Sequence, residues 1–270
     1  MYKMFSLLMV VFLIGCGGSG GSSSSSRIFA FDTNTTWQIQ LDNTSGINTS
    51  YNVEVYEFDL FDNSTDLITQ LKNDGKKVIC YFSAGSYEDW RSDESSFPQT
   101  VLGNDLDGWP GEKWLDISSD LIKPIMTARL DVAVSKGCDA VEFDNIDGYT
   151  NNTGFALNYN DQLSYNKFLA TEAKSRGLKA GLKNDLDQIP ELVDYFDFIV
   201  NEQCYEYDEC DTLTPFIDAN KAVFNIEYAD KYVNNTNSQR DIICNESKSS
   251  GIYTLIMPLD LDGSFRITCD

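Results

Sequence analysis

Two short stretches of this chain concentrate groups able to move protons or meet a charged intermediate. Glu142-Phe143-Asp144-Asn145-Ile146-Asp147 gathers three carboxylates and an amide, and Asn201-Glu202-Gln203 sets a further carboxylate between two amides. In an extended segment, period-two alternation puts Glu142 and Asp144 on one face and Phe143 on the other. The chain contains no histidine, which excludes Ser-His-Asp and Cys-His constellations and every His-containing zinc motif. Acid–base work falls to carboxylates, Lys, Tyr or Cys. Paired carboxylates on separate strands are what glycoside hydrolysis needs: one acid protonates the leaving oxygen while the other attacks or stabilises the oxocarbenium-like centre. A lone strand-end Asp more often caps a loop or joins a salt bridge. Here Asp59, Tyr81, Ser83, Asp144, Lys183, Asn184, Glu202 and Tyr228 all sit at or near the ends of apolar runs, and capping does not readily explain so convergent a polar set.

The elements that must position these residues alternate regularly. Apolar runs fall at Trp37–Leu41, Val53–Leu60, Lys77–Ala84, Asp139–Asn145, Lys179–Asn184, Phe196–Gln203, Ala222–Tyr228 and Ile252–Pro258. Most are separated by amphipathic stretches, and Gly137 and Gly177 follow two of these where a helix C-cap is expected. The pattern predicts an α/β fold, a single (β/α)8 barrel with its active site at the C-terminal ends of the strands. Glu142 then lies one layer deeper and Asp144 near the mouth. A doubly wound sheet competes, but no GxGxxG follows a first strand. After the third run, Ala84 to Leu121 reads as a long loop carrying Tyr87, Trp90, Trp109 and Trp114. Such a loop either covers the barrel or offers a stacking surface to a substrate.

The N-terminus is read apart from the fold. A cationic start, an apolar stretch from Met4 to Ile14 too short to span a bilayer, and Leu13-Ile14-Gly15-Cys16 fit a bacterial lipoprotein leader. Residues 17–26 are only Gly and Ser, a flexible tether. The expected division is a signal peptide over 1–15, lipidated Cys16 with its tether over 16–26, and the catalytic domain over 27–270. Export to the cell envelope, with a membrane anchor at Cys16, follows. Setting Cys16 aside leaves an even number of the seven cysteines, so disulfides are expected in an oxidising compartment. Cys204 with Cys210 would staple a loop, and Cys244 with Cys269 would tie the last helix to the C-terminus. Cys80 and Cys138 read as small core residues, with free and paired states both open. Lys+Arg 20 against Asp+Glu 42 gives a net charge of −22, which repels nucleic acid and favours a neutral or cationic ligand.

Several stretches carry a resemblance. Cys80-Tyr81-Phe82-Ser83-Ala84-Gly85-Ser86-Tyr87-Glu88, Val141 to Tyr149, Gly181-Leu182-Lys183-Asn184-Asp185 and Asn201-Glu202-Gln203-Cys204 resemble the motifs of the endo-α-1,4-polygalactosaminidase family, glycoside hydrolase family 114. The resemblance runs from Trp37 to the C-terminus. It implies a (β/α)8 barrel, a galactosamine-rich polysaccharide as substrate and no cofactor or metal; a monomer is expected. The chain departs from the family in having Glu142-Phe143-Asp144-Asn145 where Glu-Pro-Asp-Asn is usual, and Glu57-Phe58-Asp59 where Asp-x-Asp is usual.

By analogy with other retaining α-glycosidase barrels, Asp144 is expected to be the nucleophile and Glu202 the general acid/base. Lys183 favours the charged form of Asp144 or, alternatively, pairs with Glu142. Asn145 and Asp147 are expected to hold groups of the sugar, unless Asp147 caps the following helix. Asp59, Tyr81 and Glu88 would line the donor side with Trp90 as a stacking surface, and Ser83, Asn184, Gln203 and Tyr228 complete the binding set. A catalytically idle carbohydrate-binding lipoprotein on the same barrel is the alternative. A calcium-dependent module, suggested by Asn104-Asp105-Leu106-Asp107-Gly108 and Asp260-Leu261-Asp262-Gly263, lacks the EF-hand spacing.

Overall fold

The computed structural model describes residues 30–269, so the expected leader, Cys16 and the whole tether lie outside the described residues. The chain opens with β1 (Trp37–Ile39), β2 (Val55–Asp59), α1 (Thr65–Asn73) and β3 (Lys77–Ser83). An insertion supplies β4 (Ser86–Glu88), β5 (Leu102–Asp105) and β6 (Glu112–Leu115). The alternation resumes with α2 (Lys123–Lys136), β7 (Ala140–Asp144), α3 (Tyr159–Ser175), β8 (Lys179–Lys183), α4 (Ile189–Leu192) and β9 (Phe198–Glu202). It ends with α5 (Cys204–Tyr207), α6 (Thr214–Asp218), β10 (Ala222–Glu227), α7 (Asp230–Val233), α8 (Gln239–Ser250), β11 (Tyr253–Ile256) and β12 (Ile267–Thr268).

Each of the eight apolar runs contains one parallel strand, in the order β1-β2-β3-β7-β8-β9-β10-β11. The sheet curls, and from β2 onward helices lie between its successive strands, as in a (β/α)8 barrel; β1 and β2 are joined by a loop. The seam between β1 and β11 is spanned by the C-terminal segment rather than by a ladder. β12 pairs antiparallel with β11, Arg266 Nη2 donates to the Trp37 carbonyl (3.2 Å), and Leu41 N donates to the Leu261 carbonyl (3.0 Å).

Strands covered on both faces need apolar residues at successive positions, and period two divides them into two layers. Trp37, Val55, Ile79, Ala140, Phe198, Phe224 and Leu255 fill the interior, where Trp37 and Phe224 stack at 4.7 Å between ring centroids. Tyr56, Phe58, Phe82, Val141, Phe143 and Leu182 face outward onto Ile68, Leu71, Met126, Leu130 and Leu169 of the helices. Burying one such side chain contributes about 1.5–3 kcal/mol. Local signals delimit the helices. The Ser64 side chain caps α1, accepting from Leu67 N (3.2 Å), Asn158 and Asp161 form a capping box at α3, and Gly137 ends α2 in the left-handed conformation at φ 89°. Among the described residues no helix is long and apolar enough to cross a membrane.

The stretch expected as a long loop after β3 is not one. Its backbone pairs into a three-stranded antiparallel sheet, β4-β6-β5, which satisfies polar groups that a packed-down loop would leave unpaired. Its aromatics divide: Trp114 is buried, whereas Trp90 and Trp109 are 51 % and 46 % exposed. A buried ion network ties the insertion to the barrel. Arg91 contacts Asp59 and Glu88, each at 2.6 Å, and Arg129 of α2 meets Asp93 (2.8 Å) and donates to the Ser83 carbonyl (2.7 Å).

All three disulfides form: Cys204–Cys210, Cys244–Cys269 and Cys80–Cys138. The last decides a pairing that the sequence leaves open. β3 and β7 are neighbours in the sheet, with Ile79 opposite Ala140, so Cys80 and Cys138 come to 6.0 Å between Cα atoms despite 58 residues of separation.

Candidate active site

Three adjacent strands each deliver a charged side chain at the C-terminal end and then turn through a left-handed residue. β7 ends at Asp144 with Asn145 at φ 59°, β8 at Lys183 with Asn184 at φ 46°, and β9 at Glu202 with Gln203 at φ 63°. Such backbone costs of order 1–3 kcal/mol outside glycine, and hydrogen bonds hold it. Asn145 Nδ2 donates to Ser83 Oγ (2.9 Å), Asn184 Oδ1 accepts from Glu202 N (3.0 Å), and Gln203 N donates to the Ile226 carbonyl (2.7 Å). The close approach at Gly85 has no room for a side chain: a Cβ there would stand 1.6 Å from the Asn145 carbonyl oxygen.

Lys183 sits at the centre. Its ammonium is 3.0 Å from Asp144 Oδ1 and 3.2 Å from Glu202 Oε2, so one cation joins the two carboxylates. No ion pair forms with Glu142, which settles the alternative for this lysine. Asp144 also accepts from Tyr81 OH (2.6 Å) and from Asn145 N (2.8 Å). Burial works against its charge, but Lys183, Tyr81 and Asn145 together hold the carboxyl below its ordinary range. Burial likewise opposes the lysine's charge, and Asp144, Glu202 and Glu142 overcome it, holding the ammonium well above the ordinary range. Tyr228 OH donates to Glu202 Oε1.

One layer deeper, Glu57 and Glu142 face each other in the closed interior. Trp37 Nε1 donates to Glu57 Oε2 (2.8 Å). Burial raises both carboxyls, Glu142 the more because Glu57 adds its charge.

Above these groups opens a cleft of about 1310 Å³. Tyr81, Asp144, Asn145, Asp147, Lys183, Asn184 and Glu202 line it, and Trp90 and Trp109 stand exposed along it. Asp147 is pushed up to about 6, by burial and then by Asp144, and its side chain does not cap the short helical turn that follows. Asp59 and Glu88 reach the cleft wall, where each is paired with Arg91. Ser83 is buried behind the cleft, hydrogen bonded to Ser86 Oγ (2.6 Å) and Asn145. Gln203 is a turn residue beside a smaller adjoining pocket, and Tyr228 reaches the site through Glu202. Asp105, from the motif that suggested calcium, pairs with Lys113.

The structure adds Glu112. Glu112 lies in the cleft wall, accepts from Ser86 Oγ (2.7 Å), and is raised to about 7 chiefly by burial. It did not stand out in the sequence, because it comes from the insertion, whose strands have no barrel-like run to reveal which side chains turn inward.

A search among curated protein sequences finds no match. Among solved structures, the chain is similar to Aspergillus fumigatus Ega3 in complex with galactosamine, at 43% identity and TM-score 0.83, covering 92% of this chain and 100% of that one. It is also similar to the glycoside hydrolase domain of PelA from Pseudomonas aeruginosa, at 12% identity and TM-score 0.65, covering 86% and 98%; that likeness concerns the fold. Residues 20–270 match the family described as Glycoside-hydrolase family GH114, and with a carboxylate-lined cleft at the C-terminal ends of a barrel's strands, the chain is a glycosidase that belongs to this family.

Proposed function

We propose that the chain is an endo-acting, retaining glycosidase that cleaves α-1,4-linked galactosamine-containing polysaccharide, with Asp144 as nucleophile and Glu202 as general acid/base. The observation that carries this is the single Lys183 ammonium between the two carboxylates. Their nearest oxygens are no farther apart than the sum of its two contacts, 3.0 and 3.2 Å. A shared cation of this reach is compatible with the about 5–5.5 Å between carboxyls of a retaining site, whereas an inverting site needs roughly 6.5–9.5 Å for its water. Asp144 attacks the anomeric carbon while Glu202 gives its proton to the glycosidic oxygen; Glu202 then takes a proton from the water that releases the sugar. Sugar entering the gap breaks the longer, Glu202 contact of Lys183 and leaves the ammonium on Asp144, which keeps the nucleophile ionised. The galactosamine bound to Ega3 at 43% identity and the acidic character of this chain support a cationic polymer as substrate.

Product analysis on galactosamine-rich polymer tests this. Wild type is expected to release a ladder of oligomers whose first-formed ends keep the α configuration by proton NMR, and Asp144→Asn and Glu202→Gln are expected to release almost none. A first product of β configuration would sink the nucleophile assignment, and binding without new reducing ends would leave the idle-barrel alternative. Attachment through acylated Cys16 belongs to the same proposal: Cys16→Ser should move the protein from the membrane fraction to the soluble one.

A further inference from the structure

Phe58, Phe82, Phe143 and Leu182 fill the last outward-facing positions of β2, β3, β7 and β8, packed among apolar side chains. β10 departs from this pattern. Phe224 and Ile226 point into the barrel interior, so period two turns Asn225 and Glu227 outward, and both are fully buried. Polar groups buried in such a layer cost free energy unless they are hydrogen bonded.

Their partners belong to the turn that carries Glu202. Glu227 Oε1 accepts from Tyr205 N (2.9 Å) and from Asn225 Nδ2 (3.1 Å), and Asn225 Oδ1 accepts from Cys204 N (3.4 Å). Gln203 N donates to the Ile226 carbonyl (2.7 Å). The three successive N–H groups after Glu202 are thus all held by β10, and the Gln203 side chain makes no cap of its own. Just past the end of the same strand, Tyr228 OH donates to Glu202 Oε1. Glu202 is gripped from both faces: Tyr228 takes its carboxyl, while Asn225 and Glu227 take the backbone behind it.

We infer that Glu227, braced by Asn225, is a positioning residue that aims the Glu202 carboxyl at the glycosidic oxygen by fixing the turn from Gln203 to Tyr205. The inference rests on the reading of Glu202 as acid/base. Neither Asn225 nor Glu227 lines the cleft or the smaller pocket beside it, so their influence on the reaction passes through the turn. Asp144 is held separately, by Lys183 (3.0 Å) and Tyr81 (2.6 Å). Releasing the turn therefore impairs proton transfer to the leaving oxygen and spares attack by Asp144. That proton is needed when an alcohol departs and is dispensable when a 2,4-dinitrophenolate departs.

Comparing kcat/KM on galactosamine polymer with kcat/KM on a 2,4-dinitrophenyl galactosamine oligosaccharide tests this. Glu227→Leu should lower the polymer value about 10²-fold and the dinitrophenyl value less than about threefold, with KM on the polymer little changed. Burial holds the Glu227 carboxyl up at about 7, and Gln keeps the acceptor without the charge. Glu227→Gln should therefore stay within about threefold of wild type on both substrates. Equal losses on the two substrates, no loss on the polymer, or failure of Gln to restore the polymer rate would overturn the positioning role. Should Glu227→Leu not fold, the smaller change Asn225→Ala should lower the polymer value about tenfold and spare the dinitrophenyl value; an unchanged ratio overturns the inference equally. Glu202→Gln is the reference. If it loses both substrates equally, the acid/base reading of Glu202 fails, whereas a selective loss there beside an even loss in Glu227→Leu refutes the positioning role alone.

Discussion

Lys183 governs the residue scale. Three donors hold Asp144 below the ordinary carboxyl range, and the lysine supplies the charge among them. The nucleophile must be ionised, so activity is lost as pH falls through the Asp144 value. In Lys183→Met that value rises, and the acid limb of kcat/KM should move to higher pH while kcat falls by roughly 10²–10⁴. A lower kcat with an unmoved acid limb would mean that Lys183 serves geometry alone. Tyr81→Phe removes a neutral donor and should move the limb in the same direction, but less.

At the scale of elements, the site depends on how the turns after β7 and β9 are held. Gly85 accepts the Asn145 carbonyl against its backbone, and Gly85→Ala would force that contact apart. Misplacing catalytic groups by about 1 Å can cost 10²-fold, so kcat should drop by about that factor even in protein with a native circular dichroism spectrum. Retained activity would show that the β7 turn moves freely. The Cys80–Cys138 bridge closes a long loop through the insertion, and chain entropy assigns it about 4 kcal/mol. Replacing both cysteines by Ala should lower the unfolding free energy by roughly 2–4 kcal/mol in a denaturant titration, with KM little changed because the bridge lies on the outward face. Unchanged stability would mean that the core around Cys80 already restrains the two strands.

Charge acts on the whole molecule. With a net charge of −22, long-range attraction should draw an amine-bearing polymer toward the cleft, and added salt screens it. Raising salt from about 0.01 M to 0.5 M should lower kcat/KM on deacetylated polymer severalfold and leave acetylated polymer nearly unaffected; equal behaviour would exclude steering. Stability should follow pH in one direction. Burial raises Glu112 and Glu227 to about 7, Asp147 to about 6 and Asp185 to about 8. The folded chain therefore keeps protons that the unfolded chain has lost above about pH 4. Their stabilisation is complete below the unfolded value and disappears as pH rises through 6–8. The melting temperature at pH 5.5 should exceed that at pH 8.5 by at least about 3 °C, and the opposite order would contradict burial of these carboxyls. Asp144, held below its ordinary range, contributes with the opposite sign and only at more acidic pH.

Period-two runs and glycine caps are local signals, so the eight strands, their order and the strand-end positions of Asp144, Lys183 and Glu202 were all legible from the chain alone. The absence of histidine narrowed the chemistry before any fold was known. Pairing between distant segments is another matter. The Glu202 contact of Lys183, the Arg91–Asp59 pair, the Cys80–Cys138 bond and the entry of Glu112 into the cleft each join residues far apart in sequence. No local pattern encodes such contacts, because they follow from which strands become neighbours and how the insertion packs over them. Whether a carboxylate at a strand end is free to meet a substrate is decided by the cation that reaches it, and only the tertiary structure brings that cation close.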